Sequence, residues 1–366
     1  MMIIGIDANE ANLTRFRVGV NQYAFDLLHA FYRLPSSHRF VIYLKTQVLD
    51  DLPPARRNWE YRIIPFPKLW TQTRLPWDLY THRPQPDVFF SLTHYAPRFS
   101  PVPTVVAVMD LGFLKFPDQF TPKDYNQLKN WTAYSARQAA AVITISRHSK
   151  KDIISAYGID PAKIFVTYPG YDRQLFRPVK NASVLKKYGV NPPYFLFLGS
   201  LRPSKNIEGL INAFHHLEPK TYNLVIAGKK GWMYERIFTT VGQLALENRV
   251  IFTGFVDEAE VPALMTGATA FVMPSFYEGF GIPVVEAMAC GTPVVVSKVA
   301  SLPEVAGPAG IYIDPSSPGS IAAGLLTAAG PYRREFVKKG LDRVKLFNWA
   351  KTARQTLQIL ESTAKL

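Results

Sequence analysis

Short apolar runs alternate with longer amphipathic segments along the whole chain, the pattern left by βαβ units that build parallel sheets covered on both faces. In the first half the runs predict strands at Ile3 to Asp7, Phe40 to Tyr43, Val88 to Ser91, Thr104 to Val108 and Ala141 to Ile145. Helices are expected over about Asn21 to Arg33 and Tyr125 to Ala139. After VTYPGYDRQLFRP (Val166 to Pro178) the pattern restarts, with strands at Tyr194 to Leu198, Asn223 to Ala227, Val250 to Thr253, Ala270 to Met273 and Thr292 to Val296. The fold class is therefore α/β, as two Rossmann-like domains whose sheets would face each other across a cleft.

A chain of 366 residues is long enough for two cores. The turn-rich, polar stretch from Gly170 to Asn191 places the hinge near residues 170 to 180. That gives an N-terminal domain of residues 1–173 and a C-terminal domain of 174–349. FNWAKTARQTLQILESTAKL (Phe347 to Leu366) reads as a closing amphipathic helix. Ligands of open α/β sheets sit beyond the carboxyl ends of the strands, so chemistry is sought in the loops there.

Composition narrows the function classes. With 48% apolar and 19% charged residues, the chain has the profile of a folded protein and not of a disordered one. The opening MMIIGID is too short for a signal core, and no apolar run reaches the roughly 20 residues of a spanning helix. One cysteine, Cys290, excludes an internal disulfide and a multi-cysteine zinc site, and fits a reducing cytoplasm.

The formal net charge of +14 favours anionic partners. Residues 1–173 hold 21 Lys and Arg against 14 Asp and Glu, and the remainder holds the same numbers, so no basic tail marks a nucleic-acid binder. Basic clusters at Arg56-Arg57, Arg147 to Lys151 and Arg333 to Lys345 read as solvated helix faces, with peripheral contact to an anionic membrane as the alternative.

Two loops carry the chemistry. PSFYEGFGIPVVEAMACGTPVV (Pro274 to Val295) follows a strand, and Pro283 suits the first turn of a short helix that Gly291 would end. Gly279, Phe280 and Gly281 precede that helix; glycines admit a ligand close to the backbone, and the helix terminus adds about half a positive charge. Glu278 and Glu286 flank this anion site and suit sugar hydroxyls, Glu286 a ribose diol and Glu278 the transferred sugar. FLFLGSLRPSKNIEGLINAF (Phe195 to Phe214) places Arg202 and Lys205 in a loop after a strand, a fork and a point charge able to neutralise a diphosphate.

These motifs resemble glycosyltransferase family 4, the retaining family of GT-B architecture. The resemblance rests on Glu278 and Glu286 at their spacing, on the loop Gly199 to Asn206, and on LVIAGKKGW (Leu224 to Trp232) and VIFTGFV (Val250 to Val256). It implies that Arg202 and Lys205 hold the donor diphosphate, that Glu286 holds the ribose, and that Glu278 contacts the donor sugar. It also places Gly199, Ser200, Gly279, Phe280, Gly281 and Ile282 around the donor, with Phe255 and Val256 bordering the base. In the first domain RFRVGVNQYAFDLL (Arg15 to Leu28) resembles the glycine loop that approaches phosphate and acceptor through Gly19, and TISRHSKKDI and YPGYD also fit. The resemblance further implies that the closing helix, about residues 350–366, crosses back to the first domain.

One departure stands out: where the family has His before Asp-Leu, TVVAVMDLGFLKFP presents Met109, Asp110 and Leu111. Methionine cannot exchange a proton. His94 in SLTHYAP is the candidate to replace the imidazole, with Asp110 beside it on the acceptor side. No Asp-x-Asp triplet occurs, so Arg202, Lys205 and the helix terminus are expected to stabilise the leaving group without a metal or cofactor. The expected reaction is transfer of a hexose, mannose by preference, from a GDP- or UDP-sugar to a glycan or lipid-linked acceptor. A nucleotide-sugar epimerase or phosphorylase, or a non-catalytic nucleotide-sugar binder suggested by Met109, remain the alternatives.

Overall fold

The computed structural model describes residues 1–366 except Pro219, Trp232 and Leu366. Trp232 and Leu366 close two of the segments quoted above and so lie outside the described residues. The chain divides into two compact units, Met1–Gly170 with Asn348–Leu366, and Tyr171–Phe347.

Unit 1 is built on seven parallel strands: β1 (Ile3–Asp7), β2 (Arg39–Leu44), β3 (Trp59–Ile63), β4 (Val88–Ser91), β5 (Thr104–Ala107), β6 (Ala141–Thr144) and β7 (Ile164–Val166), in the order β3-β2-β1-β4-β5-β6-β7. Unit 2 has six: β8 (Tyr194–Leu198), β9 (Asn223–Ala227), β10 (Val250–Gly254), β11 (Ala270–Met273), β12 (Val294–Ser297) and β13 (Gly310–Ile313), in the order β10-β9-β8-β11-β12-β13. The inner strands β4, β5, β6, β11 and β12 are buried at every position, which is why they appear in the sequence as unbroken apolar runs.

Three strands were not anticipated, β3, β7 and β13. Each lies at a sheet edge, where one side has no neighbour. There the run is shortened or mixed: β3 reads WEYRI, β7 exposes Phe165 and β13 exposes Tyr312.

In each sheet the strand order reverses once, between β1 and β4 in unit 1 and between β8 and β11 in unit 2. Loops leaving a reversal point diverge to opposite faces and open a crevice at the carboxyl edge. The candidate motifs fall at these two places.

The closing helix Trp349–Thr363 belongs to unit 1. Its buried residues Thr352, Ala353, Thr356, Leu360 and Thr363 recur at helical spacing, and it packs on the helix Val20–Arg33, with Trp349 edge-on to Tyr23 at 5.6 Å. Gly170 permits the approach: a Cβ there would lie 2.2 Å from the Trp349 backbone nitrogen.

Candidate functional site

Parallel pairing of β8 with β11 makes the loops that follow them neighbours in unit 2. Backbone and side chains tie the loops together. The Phe276 N–H donates to the Ser204 carbonyl at 2.9 Å. Asn206, buried and in the left-handed region at φ 55°, donates from Nδ2 to the carbonyls of Pro274 (3.2 Å) and Pro315 (2.7 Å). Gly228, at φ 143°, allows β9 to approach the first loop, since a Cβ would sit 1.9 Å from the Gly199 carbonyl oxygen.

The frame presents Lys205 to Glu278. Lys205 Nζ donates to Glu278 Oε1 at 2.7 Å, and the Ser275 hydroxyl donates to the same oxygen at 2.7 Å. Glu278 is only 9% exposed, so its charge depends on these partners. Among the described residues the two bonds to this carboxylate both fall on Oε1. Behind the loop the Ser301 hydroxyl reaches the carbonyls of Glu278 (2.8 Å) and Phe280 (3.2 Å).

Gly279 to Gly281 then lead into the helix Ile282–Ala289, with Gly281 at φ 93° as its N-cap. Pro283 sits in the first turn, where its missing N–H breaks no helical bond, and the helix start carries the positive end of the dipole. The ammonium of Lys205 and this helix start thus flank one loop. Phe280 is buried edge-on against Phe347 at 5.5 Å. Glu286 is half-buried one turn into the helix; burial first, and then its charge, push the Cys290 thiol up to about 12.

The remaining expected donor residues surround this frame. Gly199 donates its N–H to the Ala227 carbonyl at 3.0 Å, and Ser200 follows it on the same loop. Phe255, just beyond β10, is partly exposed with Lys229 Nζ 4.5 Å over its ring, whereas Val256 is buried. Arg202 lines a cavity of about 220 Å³ with Asn206, Ile207, Glu208, Met233 and Phe276.

Gly19, His94 and Asp110 belong to unit 1. Gly19 caps the helix Val20–Arg33 at φ 56°, where a Cβ would meet nothing within 4 Å, so torsion and not crowding calls for glycine. Adjacent β4 and β5 bring His94 and Asp110 together. Asp110 accepts the Gly112 N–H at 2.7 Å. His94 Nδ1 is buried without a hydrogen-bond partner, and burial lowers the imidazole pKa although the Asp110 charge opposes it. Met109 is buried, and its carbonyl accepts from the Thr144 hydroxyl at 3.3 Å.

Sequence reasoning missed several groups. Asp7, at the carboxyl end of β1, has its carboxyl pushed up to about 6 by burial, although the Asn9 N–H (3.1 Å) and amide (2.6 Å) hold it lower than burial alone would. Glu10 is raised by burial against a 2.6 Å bond from Asn21. An acidic residue ending the first strand, in IIGIDANE, was the available signal. Asn206 and Ser301 act only through contacts distant in sequence, whereas Ser275 bonds Glu278 three residues away.

Comparison with known proteins bears on the family and the fold. Residues 17–175 match the family model described as Glycosyltransferase Family 4, and residues 183–339 the one described as Glycosyl transferases group 1. Over 262 residues the chain is 33% identical to the O-antigen chain mannosyltransferase B of Escherichia coli, an alignment covering 69% of this chain and 68% of that protein. Sucrose-phosphate synthase from Thermosynechococcus elongatus has the same fold, with a TM-score of 0.79 at 19% identity over 99% of both chains. Anabaena HepE in complex with UDP-glucose superposes with a TM-score of 0.77 at 20% identity, over 99% of this chain and 100% of that one.

Proposed function

This chain belongs to glycosyltransferase family 4, and from that premise we propose that it moves a hexose, with mannose first in order, from a nucleoside diphosphate sugar to an acceptor hydroxyl with retention of anomeric configuration. The observation that carries the proposal is the Lys205–Glu278 pair beside the Gly279–Gly281 helix start in unit 2. Departure of the nucleoside diphosphate develops negative charge on phosphate and positive character on the sugar. A fixed ammonium, a helix terminus and the Arg202 guanidinium answer the first, and the Glu278 carboxylate lies where it can accept sugar hydroxyls and steady the second.

On binding, a phosphate oxygen competes with Glu278 for Lys205. Glu278 keeps its Ser275 bond, so the carboxylate stays in place while the ammonium turns to the leaving group. Glu286 takes the ribose diol, and Phe255 and Val256 border the base. The acceptor, a glycan or lipid-linked saccharide met at an anionic membrane surface, is assigned to unit 1, where Asp110 and His94 orient it; with Met109 in the family's histidine position, a donor phosphate oxygen serves as the base. GDP-mannose is the preferred donor because of the mannosyltransferase likeness, over UDP-glucose and UDP-N-acetylglucosamine.

The test is a thermal-shift screen of nucleotide sugars, followed by proton NMR of the product formed from the best donor. A donor at a hundred times its dissociation constant adds about 2.7 kcal/mol of stability, and the product anomer should match the donor. An inverted product removes the mechanism, and an isomerised donor formed without acceptor points to an epimerase. Cationic side chains occupy the place of a metal in this scheme, so EDTA should leave the rate unchanged, and a strict Mg²⁺ or Mn²⁺ requirement contradicts it.

A further inference from the structure

The connection from β3 to β4 in unit 1 has an outer face that the chain leaves uncovered. Its inner face is anchored: Ile64, Trp70, Leu75 and Leu79 pack with Val41, Tyr43 and Phe89 of the sheet, and Trp70 Nε1 donates to the Ile64 carbonyl at 2.8 Å. The helix Arg74–Thr81 rests on this cluster through Leu75 and Leu79. At about 100° per residue, Trp77 lies about 180° from the midpoint of those two leucines and Tyr80 about 120° from it. Both point outward, Trp77 at 68% exposure.

Phe66 and Leu69 stand exposed in the run Pro65–Leu69, where all five residues are exposed. Val102 packs against the same cluster from the β4–β5 connection, and Phe99 of that connection is 75% exposed. Large apolar side chains are thus gathered on one anchored layer, an arrangement that marks an interaction surface.

The charge beside the exposed aromatics is mostly positive. Between residues 64 and 87 the only acids are Asp78 and Asp87. Asp78 is turned inward onto Arg62 (3.3 Å) and Arg74 (3.6 Å), and Asp87 accepts the Ile3 N–H at 2.6 Å. Lys68 and Arg83 are exposed beside the aromatics. Tryptophan and tyrosine favour the lipid headgroup region, and Lys and Arg draw a protein to anionic lipid. A second copy of the chain would bring the same cations face to face about a two-fold axis.

We infer that the outer face of the β3–β4 connection, centred on Trp77, Tyr80, Phe66 and Leu69 with Lys68 and Arg83, docks unit 1 onto an anionic phospholipid surface. This deepens the peripheral part of the reading above. Its test uses vesicles without any sugar substrate, so failure here leaves the transferase assignment standing.

The full chain is sedimented with vesicles of phosphatidylcholine alone or containing phosphatidylglycerol. Binding is expected only to the second, weakened roughly fivefold for each positive charge removed from the surface. Lys68→Glu with Arg83→Glu, and Trp77→Ser with Tyr80→Ser, should each lower it by at least about tenfold. Arg334→Glu with Lys338→Glu, an equal change of net charge on unit 2, should lower it far less. Brominated lipid should quench the wild-type tryptophan emission more than that of Trp77→Phe, a reading that does not depend on the charge-reversal or serine variants. Equal losses from both charge reversals, unchanged binding by the aromatic variant, or a dimer that only the aromatic variant dissolves would each overturn the inference.

Discussion

The two units share a parallel-sheet plan yet hold their candidate groups in opposite electrostatic conditions. In unit 2 the polar side chains at the strand reversal are satisfied: Glu278 is held by Lys205 and Ser275, and the surrounding carbonyls by Asn206 and Ser301. In unit 1 they are strained by burial: Asp7 and Glu10 are raised, and the His94 imidazole is lowered with its Nδ1 unpartnered. A frame of satisfied charges suits a ligand whose charge is constant, such as a diphosphate. Groups whose protonation is displaced suit hydroxyls, which both donate and accept.

The largest expected effect breaks the unit 2 side of this contrast. Lys205→Ala removes a fixed cation from the leaving group and should lower kcat by about 10² to 10³, roughly 3 to 4 kcal/mol; the thermal unfolding midpoint should fall as well, because the buried Glu278 charge loses a partner, so the rate is compared at a temperature where both proteins are folded. A normal rate in that variant, measured by release of nucleotide, would mean that the cradle does not act on the leaving group.

Asp7→Asn addresses unit 1. The folded-state pKa of about 6 lies above the ordinary 3.8, so between those values the folded protein binds the extra proton. Stability from this group is therefore greatest below about pH 4, falls as pH rises through that window, and levels off above it, a loss of at most about 3 kcal/mol. Urea unfolding at several pH values should show the fall in the wild type and a flatter profile in Asp7→Asn. Identical profiles would show that burial does not displace this carboxyl.

The smallest effect sharpens the division of labour. His94→Asn keeps a polar group beside Asp110 and should raise the acceptor KM several-fold, about 1 kcal/mol, while the stabilisation conferred by a nucleotide sugar stays unchanged. A weakened donor effect would place His94 with the donor instead.

How far the sequence could be read depended on where a residue's partners lie. Strands of the sheet centres were legible because burial on both faces leaves an apolar run, whereas β3, β7 and β13 at the edges leave only WEYRI, IFV and GIYI. Lys205, Glu278 and the Gly279–Gly281 turn were visible because local spacing encodes a loop and a helix start. Ser275 lies only three residues from Glu278 and could have been weighed. Asn206 could not, since its bonds to Pro274 and Pro315 join residues far apart in the chain.

By itself, then, the sequence determined the α/β class, the restart after the first unit, the two loops with their charged residues and the departure at Met109, all of them patterns set by nearest neighbours along the chain. Only the tertiary structure decided that Lys205 rests on Glu278, that burial raises the Asp7 carboxyl, that His94 adjoins Asp110 and that Trp77 faces water. Those outcomes depend on which strands became neighbours and on how much solvent each side chain lost, quantities that local spacing does not carry.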